Sequence, residues 1–347
     1  MSKRSLKLVL KVTLVGGLLY ILAEKGFLSF EATRKALGEI RTIIPAILGL
    51  LVATFLGLVR WQILLRARGI ELPFRRTAEL GFVGLFFNIA LPGAVSGDVV
   101  KAVYVGREAP GKRAAALGSI LFDRVAGSSA LILVSALGIV LAMGDPWAHV
   151  LLRSIRAIVI PMSLGILSFY VYLFYLNVDR DPLLRFFRRL EVRFPKFASV
   201  VRIYEGIKRY GEEKAVVLKV LAVSFLIHLM VTGAFLLFTK AFGETQVPSI
   251  AVFIVVPLAL LVTAIPVLPG GVGTGHAAFL ALFALIGSKR GADIFNIFVL
   301  YQFFIGAVGG LVFLRFRGSS LASDMSDVPE LHDSSSATLS GASSQGT

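Results

Sequence analysis

The chain has 347 residues, of which 56% are hydrophobic, and its mean hydropathy of +0.82 is too high for a soluble domain of this length. The absence of cysteine excludes disulfide frameworks, thiolate metal sites and thiol nucleophiles, and the four histidines share no metal-ligand spacing. The formal charge of +15 comes from basic residues that separate apolar runs, which indicates membrane topology and anionic lipid as partners rather than nucleic acid.

Six apolar stretches are each long enough to cross a membrane as a helix, which needs ~20 mostly apolar residues. They are 5–23, 42–60, 114–142, 156–177, 215–239 and 293–314. Basic residues flank the first stretch as in a signal peptide, but the residues after it, 23–26, make a poor cleavage site, so we favour an uncleaved span. The sequence therefore predicts an all-α polytopic membrane protein.

Two further apolar stretches are interrupted by glycine and proline. Residues 80–97 read LGFVGLFFNIALPGAVSG, and residues 250–287 consist of two apolar halves around PVLPGGVGTGH. Such breaks leave backbone groups unpaired, and in hydrocarbon these groups must be buried in protein or face a watery cavity. We therefore predict two re-entrant hairpins, and with 80–97 re-entrant the basic loops on both of its sides lie in the cytoplasm.

The order of these elements repeats along a single membrane domain of residues 1–317. Each half, at about 5–142 and 156–315, is predicted to contain a span, a second span, a hairpin and a third span. The first half begins inside and the second outside, which is the inverted-topology repeat of many secondary transporters. Most lysine and arginine residues then lie on the inner side, so both termini are predicted to face the cytoplasm.

Two segments are not predicted to span the membrane. Residues 178–214 are strongly basic, with aromatic and leucine residues at helical spacing, and two interpretations stay open. The segment is either an amphipathic interfacial helix on the cytoplasmic leaflet or a solvated connecting loop with a few packed aromatics. Residues 318–347 are rich in Ser, Ala, Gly and Asp, and we predict a disordered tail.

A polar cluster lies at the first break. Its members are Asn88, Pro92, Gly93, Ser96, Gly97, Asp98 and Lys101. Asp98 and Lys101 share a helix face, and helix ends at a break expose N–H groups that suit a phosphate or carboxylate, which favours an anionic head-group site. The alternative is that Asp98 caps the following helix and Lys101 extends to the membrane surface.

Charged residues also occur within the spans. Asp123 and Arg124 lie inside the third span, where charge is costly and faces a cavity or a partner. Arg124 is a candidate ligand for a lipid phosphate, with a structural ion pair across the bundle as the alternative. Arg60 and Trp61, at the end of the second span, are interpreted as anchors at the membrane interface.

The second break supplies the other candidate binding residues. They are Pro269, Gly270, Gly271, Gly273 and His276. His276 begins a half-helix, where it could relay protons or hydrogen-bond a buried backbone group, and the sequence does not separate these roles. His228, alone in an apolar span, is interpreted as a core histidine. No catalytic residue, metal site or cofactor site is predicted.

Taken in order, four motifs resemble the flippase-like membrane family related to the transmembrane region of lysylphosphatidylglycerol synthases. They are Arg60-Trp61, Asn88 with LPGAVSGDVVK, Asp123-Arg124 and PVLPGGVGTGH, and the resemblance covers residues 5–315. The resemblance implies a protein of a bacterial or archaeal cytoplasmic membrane that handles lipids. Candidate cargoes are aminoacylated phosphatidylglycerol, polyprenyl-phosphate-linked sugars and hopanoids. Two positions depart from the family pattern: Ser96 replaces a glycine, and His276 replaces a glutamate that would suit proton coupling.

Three functions follow from these observations. The leading hypothesis is a transporter or flippase for an anionic, aminoacylated or polyprenyl-phosphate lipid. The second is a membrane enzyme that modifies a lipid head group, although no synthase domain is expected after residue 317 and no aminoacyl transfer is carried over. The third is a membrane partner of a glycosyltransferase or lipid synthase, with 178–214 as the docking surface.

Overall fold

The structure is a computed structural model that describes residues 24, 29–91, 96–176, 181–194, 197–264 and 271–326. These residues form twelve α-helices and one short 3-10 helix at Arg209–Glu212, without a β-strand. The α-helices are α1 Phe30–Leu37, α2 Ile40–Ala67, α3 Phe74–Ala90, α4 Ser96–Glu108, α5 Arg113–Ala142, α6 Ala148–Tyr175, α7 Pro182–Arg193, α8 Ala198–Lys208, α9 Lys214–Ala241, α10 Ser249–Thr263, α11 Thr274–Ala284 and α12 Gly291–Ser326.

Five helices in the described part of the chain are long and apolar enough to cross a membrane: α2, α5, residues 153–175 of α6, α9, and α12 as far as Arg315. They contain the second, third, fifth and sixth apolar stretches of the sequence and the fourth as far as Tyr175, so these predicted spans are confirmed as helices. The first predicted span, 5–23, lies outside the described residues. The chain is therefore an all-α polytopic membrane protein.

The first broken stretch forms a helical hairpin whose arms are α3 and α4. The arms approach closely because Gly97 faces α3: a Cβ atom there would collide with the carbonyl oxygen of Gly84 and the side chain of Asn88. At the far ends of the arms, Arg76 Nε donates to Glu108 Oε1 at 2.6 Å, so the hairpin begins and ends on the same side of the bundle. The arms extend beyond the predicted 80–97 at both ends, from Phe74 to Glu108.

The second broken stretch also folds into two packed arms, α10 and α11. The residues between them include Gly271 and Gly273, with φ of +70° and +86°, a backbone conformation that favours glycine. Residues 265–270 lie outside the described part. The close packing of Gly271 on Thr263 brings the end of one arm against the turn that leads into the other.

The two halves of the chain interlock. Helix α2 packs on α9. Arg68, near the end of α2, pairs with Glu213, just before the start of α9, so the two helices run antiparallel. The hairpin arm α3 packs on α12, and the corresponding arm α10 packs on α5. This reciprocal packing is what an inverted repeat predicts, and the boundaries of the domain and of its halves stay predictions.

Residues 178–214 are helical where the structure describes them, rather than a loop, and they pack on the end of α6 through a buried polar network. Asp181 Oδ1 accepts hydrogen bonds from Tyr172 Oη at 2.6 Å and from the Leu184 N–H at 3.0 Å, while Oδ2 accepts from Tyr204 Oη at 3.0 Å. Lys208 Nζ lies 3.4 Å from Oδ2. Burial raises the pKa of Asp181, but the hydrogen bonds outweigh burial and hold that pKa below its usual value.

The surface of α7 is both apolar and basic. Leu183, Phe186 and Val192 are exposed, and four arginines lie on the same helix. Its contact with a membrane stays a prediction.

At the other end of the domain, α12 continues to Ser326, which differs from the disorder predicted from 318, and residues 327–347 lie outside the described part.

Candidate functional site

A cavity of about 400 Å³ lies inside the bundle, where both hairpins meet α2, α5, α9 and α12. Five charged side chains line it: Arg60, Asp98, Lys101, Asp123 and Arg124. The remaining lining residues are Asn88, Gly127, Ser128, Leu131, His228, Val231, Leu260, Thr263, Ala264, Gly271, Phe298 and Gln302. Residues from both halves of the sequence thus enclose one polar space within an apolar protein.

Asp98 is the centre of the first ion cluster. It lies in the first turn of α4, and its Oδ1 is 2.9 Å from Lys101 Nζ, as the spacing of three on a helix predicts. Its Oδ2 accepts from Arg124 Nε of α5 at 2.6 Å. Asp98 is buried, whereas the Arg124 side chain is 42% exposed and lies at the edge of the cavity. The cluster therefore joins the first hairpin to α5 and combines two cations with one carboxylate.

Asp123 forms a second, separate ion pair. Arg60 donates two hydrogen bonds to its carboxylate, from Nε to Oδ1 at 2.7 Å and from Nη2 to Oδ2 at 2.9 Å. The third nitrogen, Nη1, donates to Ser224 Oγ of α9 at 2.9 Å. Such bidentate arginine–carboxylate pairs fix the relative orientation of the two side chains. The pair links α2, α5 and α9 and corrects the interpretation of Arg60 as a surface anchor.

Trp61 is buried within the protein as well, with only 2% of its surface exposed, so its ring does not contact the surrounding lipid. Its ring lies 4.8 Å from Lys101 Nζ, which places the ammonium group over an aromatic face as well as beside Asp98. The prediction failed because α2 does not end at residue 60 but continues to Ala67. Both residues consequently lie within the helix and face the protein.

Three more predicted residues of the first hairpin, Asn88, Ser96 and Gly97, lie in the described part of the chain. Asn88 lines the cavity, and its Oδ1 accepts from the Gly97 N–H at 3.0 Å, which ties the two arms together near the turn. Ser96 begins α4, next to the cavity residues but not among them. Pro92 and Gly93 lie outside the described residues. The structure therefore brings Asn88, Asp98 and Lys101 together and leaves Gly97 in a packing role.

The second hairpin contributes backbone and small side chains rather than charge. Gly271 lines the cavity beside Thr263, while Gly273 precedes α11 and does not line it. Pro269 and Gly270 lie outside the described residues. The two hairpins therefore differ in chemistry, since the charged groups of the cavity come from α2, α4 and α5.

His276 does not line this cavity. It is 2% exposed; its Nδ1 accepts from the Gly273 N–H at 3.3 Å, and its Nε2 lies 3.3 Å from Asn296 Oδ1. Because Nδ1 accepts, Nε2 carries the proton and donates to Asn296. This geometry caps the start of α11 and joins it to α12, and a role of His276 in binding stays a prediction.

His228 and Gln302 are cavity residues that sequence reasoning missed. His228 lines the cavity from α9, and its buried Nδ1 has no hydrogen-bond partner within the described part of the chain. The core interpretation of His228 did not include its position at the cavity, because an isolated histidine in an apolar run does not reveal which face of the helix it occupies. Gln302 on α12 gave no signal for the same reason.

Two apolar spaces adjoin the charged cavity. One, of about 230 Å³, lies between α2, α3, α9 and α12 and shares Asn88, Val231, Phe298 and Gln302 with it. The other, of about 400 Å³, lies between α5 and α6 and shares Arg124 and Ser128. The site thus combines a charged centre with apolar extensions on two sides, the division of chemistry found in a membrane lipid.

The charges of the cavity leave a positive balance, since three cations face two carboxylates. Asp98 is shared between Lys101 and Arg124, so its single negative charge balances only one of the two positive charges. An incoming phosphate would complete that balance, and it would find donors already oriented toward the space. The arrangement is therefore suited to an anionic head group.

The sequence was compared with known proteins. The family model described as "Lysylphosphatidylglycerol synthase TM region" matches residues 8–312. A UPF0104 membrane protein of Methanothermobacter thermautotrophicus is 26% identical over 317 residues, covering 86% of this chain and 91% of the relative. A UPF0104 membrane protein of Pyrococcus horikoshii is 23% identical over 336 residues, covering 91% and 98%. No solved structure matches the chain.

Proposed function

The chain belongs to the family of the lysylphosphatidylglycerol synthase transmembrane region, and from this premise we propose that it moves an anionic lipid between the leaflets of the cell membrane. It is an integral, multi-pass membrane protein whose curated relatives are archaeal membrane proteins. In this proposal the lipid head group is bound by the predicted residues that line the cavity together with Arg60, His228 and Gln302. These predicted residues are Asn88, Asp98, Lys101, Asp123, Arg124 and Gly271.

The observation that carries the proposal is a cavity with a net positive charge that shares lining residues with two apolar spaces. Buried charge in a membrane domain is costly and is concentrated where a polar substrate passes. A soluble anion would need only the charged cavity, whereas a lipid also needs room for hydrocarbon beside it. Arg124 is shared by the charged cavity and one apolar space, so a head group there keeps its chain in apolar surroundings.

The pairing of Asp98 suggests how binding is made reversible. When a lipid phosphate enters, it replaces the Asp98 carboxylate on Arg124, while Lys101 retains its bond to Asp98. Lys101 and Arg124 each have an anionic partner both with and without the lipid. Neither entry nor release of the lipid therefore leaves an unpaired buried charge, which would be strongly unfavourable. In this scheme the two hairpins move relative to α5 and α12 and open the cavity to one leaflet at a time, with both termini in the cytoplasm.

The test is transport by purified protein in liposomes that carry fluorescent phosphatidylglycerol. The wild-type protein is expected to move the label between leaflets, and Arg124→Ala is expected to lower the rate at least tenfold, because it removes the charge partner of the phosphate. Access of the label to an external quencher measures the rate. Arg156→Ala, which removes an exposed arginine of α6, serves as the matched control and should transport normally.

The outcomes separate the three candidate functions. If correctly folded wild-type protein moves neither phosphatidylglycerol nor a polyprenyl phosphate, the transport proposal is wrong. Mass spectrometry of the lipids after incubation would reveal an enzyme, since only an enzyme changes the mass of the lipid. Co-purification of one stoichiometric protein, lost when α7 is neutralised, would instead favour a partner subunit.

A further inference from the structure

The apolar space between α5 and α6 is a groove along the side of the bundle. Its apolar walls are Val125 and Ile132 of α5 and Met162, Ile166 and Phe169 of α6, and its volume is about 400 Å³. On α5 the wall from Arg124 to Ile132 extends over about 12 Å at 1.5 Å per residue. This length matches an extended hydrocarbon chain rather than a compact polar molecule.

The groove adjoins the charged cavity at one end of its α5 wall. Arg124 and Ser128 line both spaces, and Arg124 Nε is bonded to Asp98 within the cavity. One molecule can therefore occupy both only if a charged part meets an apolar part at Arg124. A head group joined to a hydrocarbon chain has this structure.

Ser129, which lines the groove beyond Arg124, does not call for a polar ligand. Ser129 Oγ donates to the Val125 carbonyl at 2.8 Å and accepts from Tyr170 Oη at 3.3 Å. Both of its hydrogen-bonding functions are therefore used within the protein, so apolar contacts dominate the groove beyond Arg124.

Helix α6 lies at the periphery of the bundle, which leaves the groove accessible from the surrounding lipid. It packs along α5, and its outer face exposes Ile158, Leu164 and Leu167. Gly165 lines the groove and is exposed, and a Cβ atom there would meet nothing within 4 Å. The missing side chain keeps the groove open at its middle.

We propose that this α5–α6 groove binds one hydrocarbon chain, acyl or isoprenoid, of the lipid whose head group occupies the charged cavity, and that it is the lateral entrance for that lipid. The inference rests on the proposed function and specifies its entry route. The lipid then slides along the groove with its chain in apolar contact throughout, and only the head group leaves the interface to reach Arg124 and Lys101.

The experiment fills the groove without touching the charged cavity. Gly165→Trp places an indole ring in open space, so the protein should fold, and it should lower the rate of phosphatidylglycerol transport at least tenfold. Gly57→Trp on α2, where a Cβ atom likewise meets nothing within 4 Å, is the matched control and should transport normally. A polyprenyl phosphate tested in parallel distinguishes an isoprenoid chain from an acyl chain.

A second measurement separates the groove from the cavity. Binding of a short-chain, water-soluble phosphatidylglycerol should be unchanged within twofold in Gly165→Trp, because only the head group is held. Phosphatidylglycerol with a diazirine in its acyl chain should label α5 and α6 between residues 124–132 and 162–169 in the wild type, and this labelling should fall in Gly165→Trp.

The two proposals fail in different ways. If Gly165→Trp transports like wild type while Arg124→Ala does not, the groove is not the entrance but the lipid transport function stands. Labelling confined to helices other than α5 and α6 would lead to the same conclusion. If neither substitution matters because the wild-type protein moves no lipid, the proposed function itself is wrong.

Discussion

Replacing Arg60 with alanine is expected to lower the free energy of unfolding by about 3–5 kcal/mol, because it leaves the Asp123 carboxylate without its partner inside the bundle. The two side chains are only 11% and 16% exposed, so water does not substitute for the lost guanidinium. The bond to Ser224 is lost as well, which loosens α2 from α9. Unfolding of the protein in mixed micelles, followed by circular dichroism, measures the effect.

Two further variants are compared with Arg60→Ala. The double variant Arg60→Ala with Asp123→Ala should regain most of the lost stability, because removing both charges leaves no uncompensated ion. It should still fail to transport, because Arg60 also lines the cavity. Arg75→Ala, which breaks the exposed pair with Glu79, should unfold like wild type. Wild-type stability of the Arg60→Ala single variant would show that the pair does not hold these helices together.

Replacing Asp98 with asparagine is expected to trap the lipid rather than to release it. The substitution keeps the size of the side chain but removes the carboxylate that balances Lys101 and Arg124. A lipid phosphate then meets two cations without competition, and we expect its affinity to rise roughly tenfold, about 1.4 kcal/mol. Transport should fall at least tenfold, since no carboxylate is present to displace the phosphate.

This combination of tighter binding and slower transport distinguishes Asp98 from a residue that only stabilises the fold. Equilibrium binding of the water-soluble phosphatidylglycerol and the liposome assay give the two quantities. The exposed Glu71→Gln, which removes one acidic charge away from the cavity, should change neither. If Asp98→Asn lowered binding and transport together, the exchange of partners at Arg124 would be wrong.

The sequence predicted the parts of the site that depend on local spacing. Asp98 and Lys101 are three residues apart on one helix, and the structure pairs them. The same local reasoning identified both broken stretches, because glycine and proline act on the backbone where they stand. The helical hairpins followed from these breaks together with the charge on the flanking loops.

The remaining pairs depend on how distant helices meet, which composition does not encode. Asp123 and Arg124 are neighbours in sequence but point to different partners, Arg60 and Asp98, since adjacent residues on a helix diverge by about 100°. The position of Arg60 at the end of an apolar run suggested a surface. Its helix continues for nearly two more turns, and only the packing of α2 on α5 and α9 reveals its role.

The central claim is that the charged cavity holds the head group of an anionic lipid, and native mass spectrometry of the purified protein tests it most directly. The wild-type protein should retain a bound anionic lipid through mild detergent exchange. The variant with Lys101→Gln and Arg124→Gln should retain less than about a tenth of it, and Arg156→Gln should retain it fully. Equal retention of the same lipid by all three proteins would contradict the account.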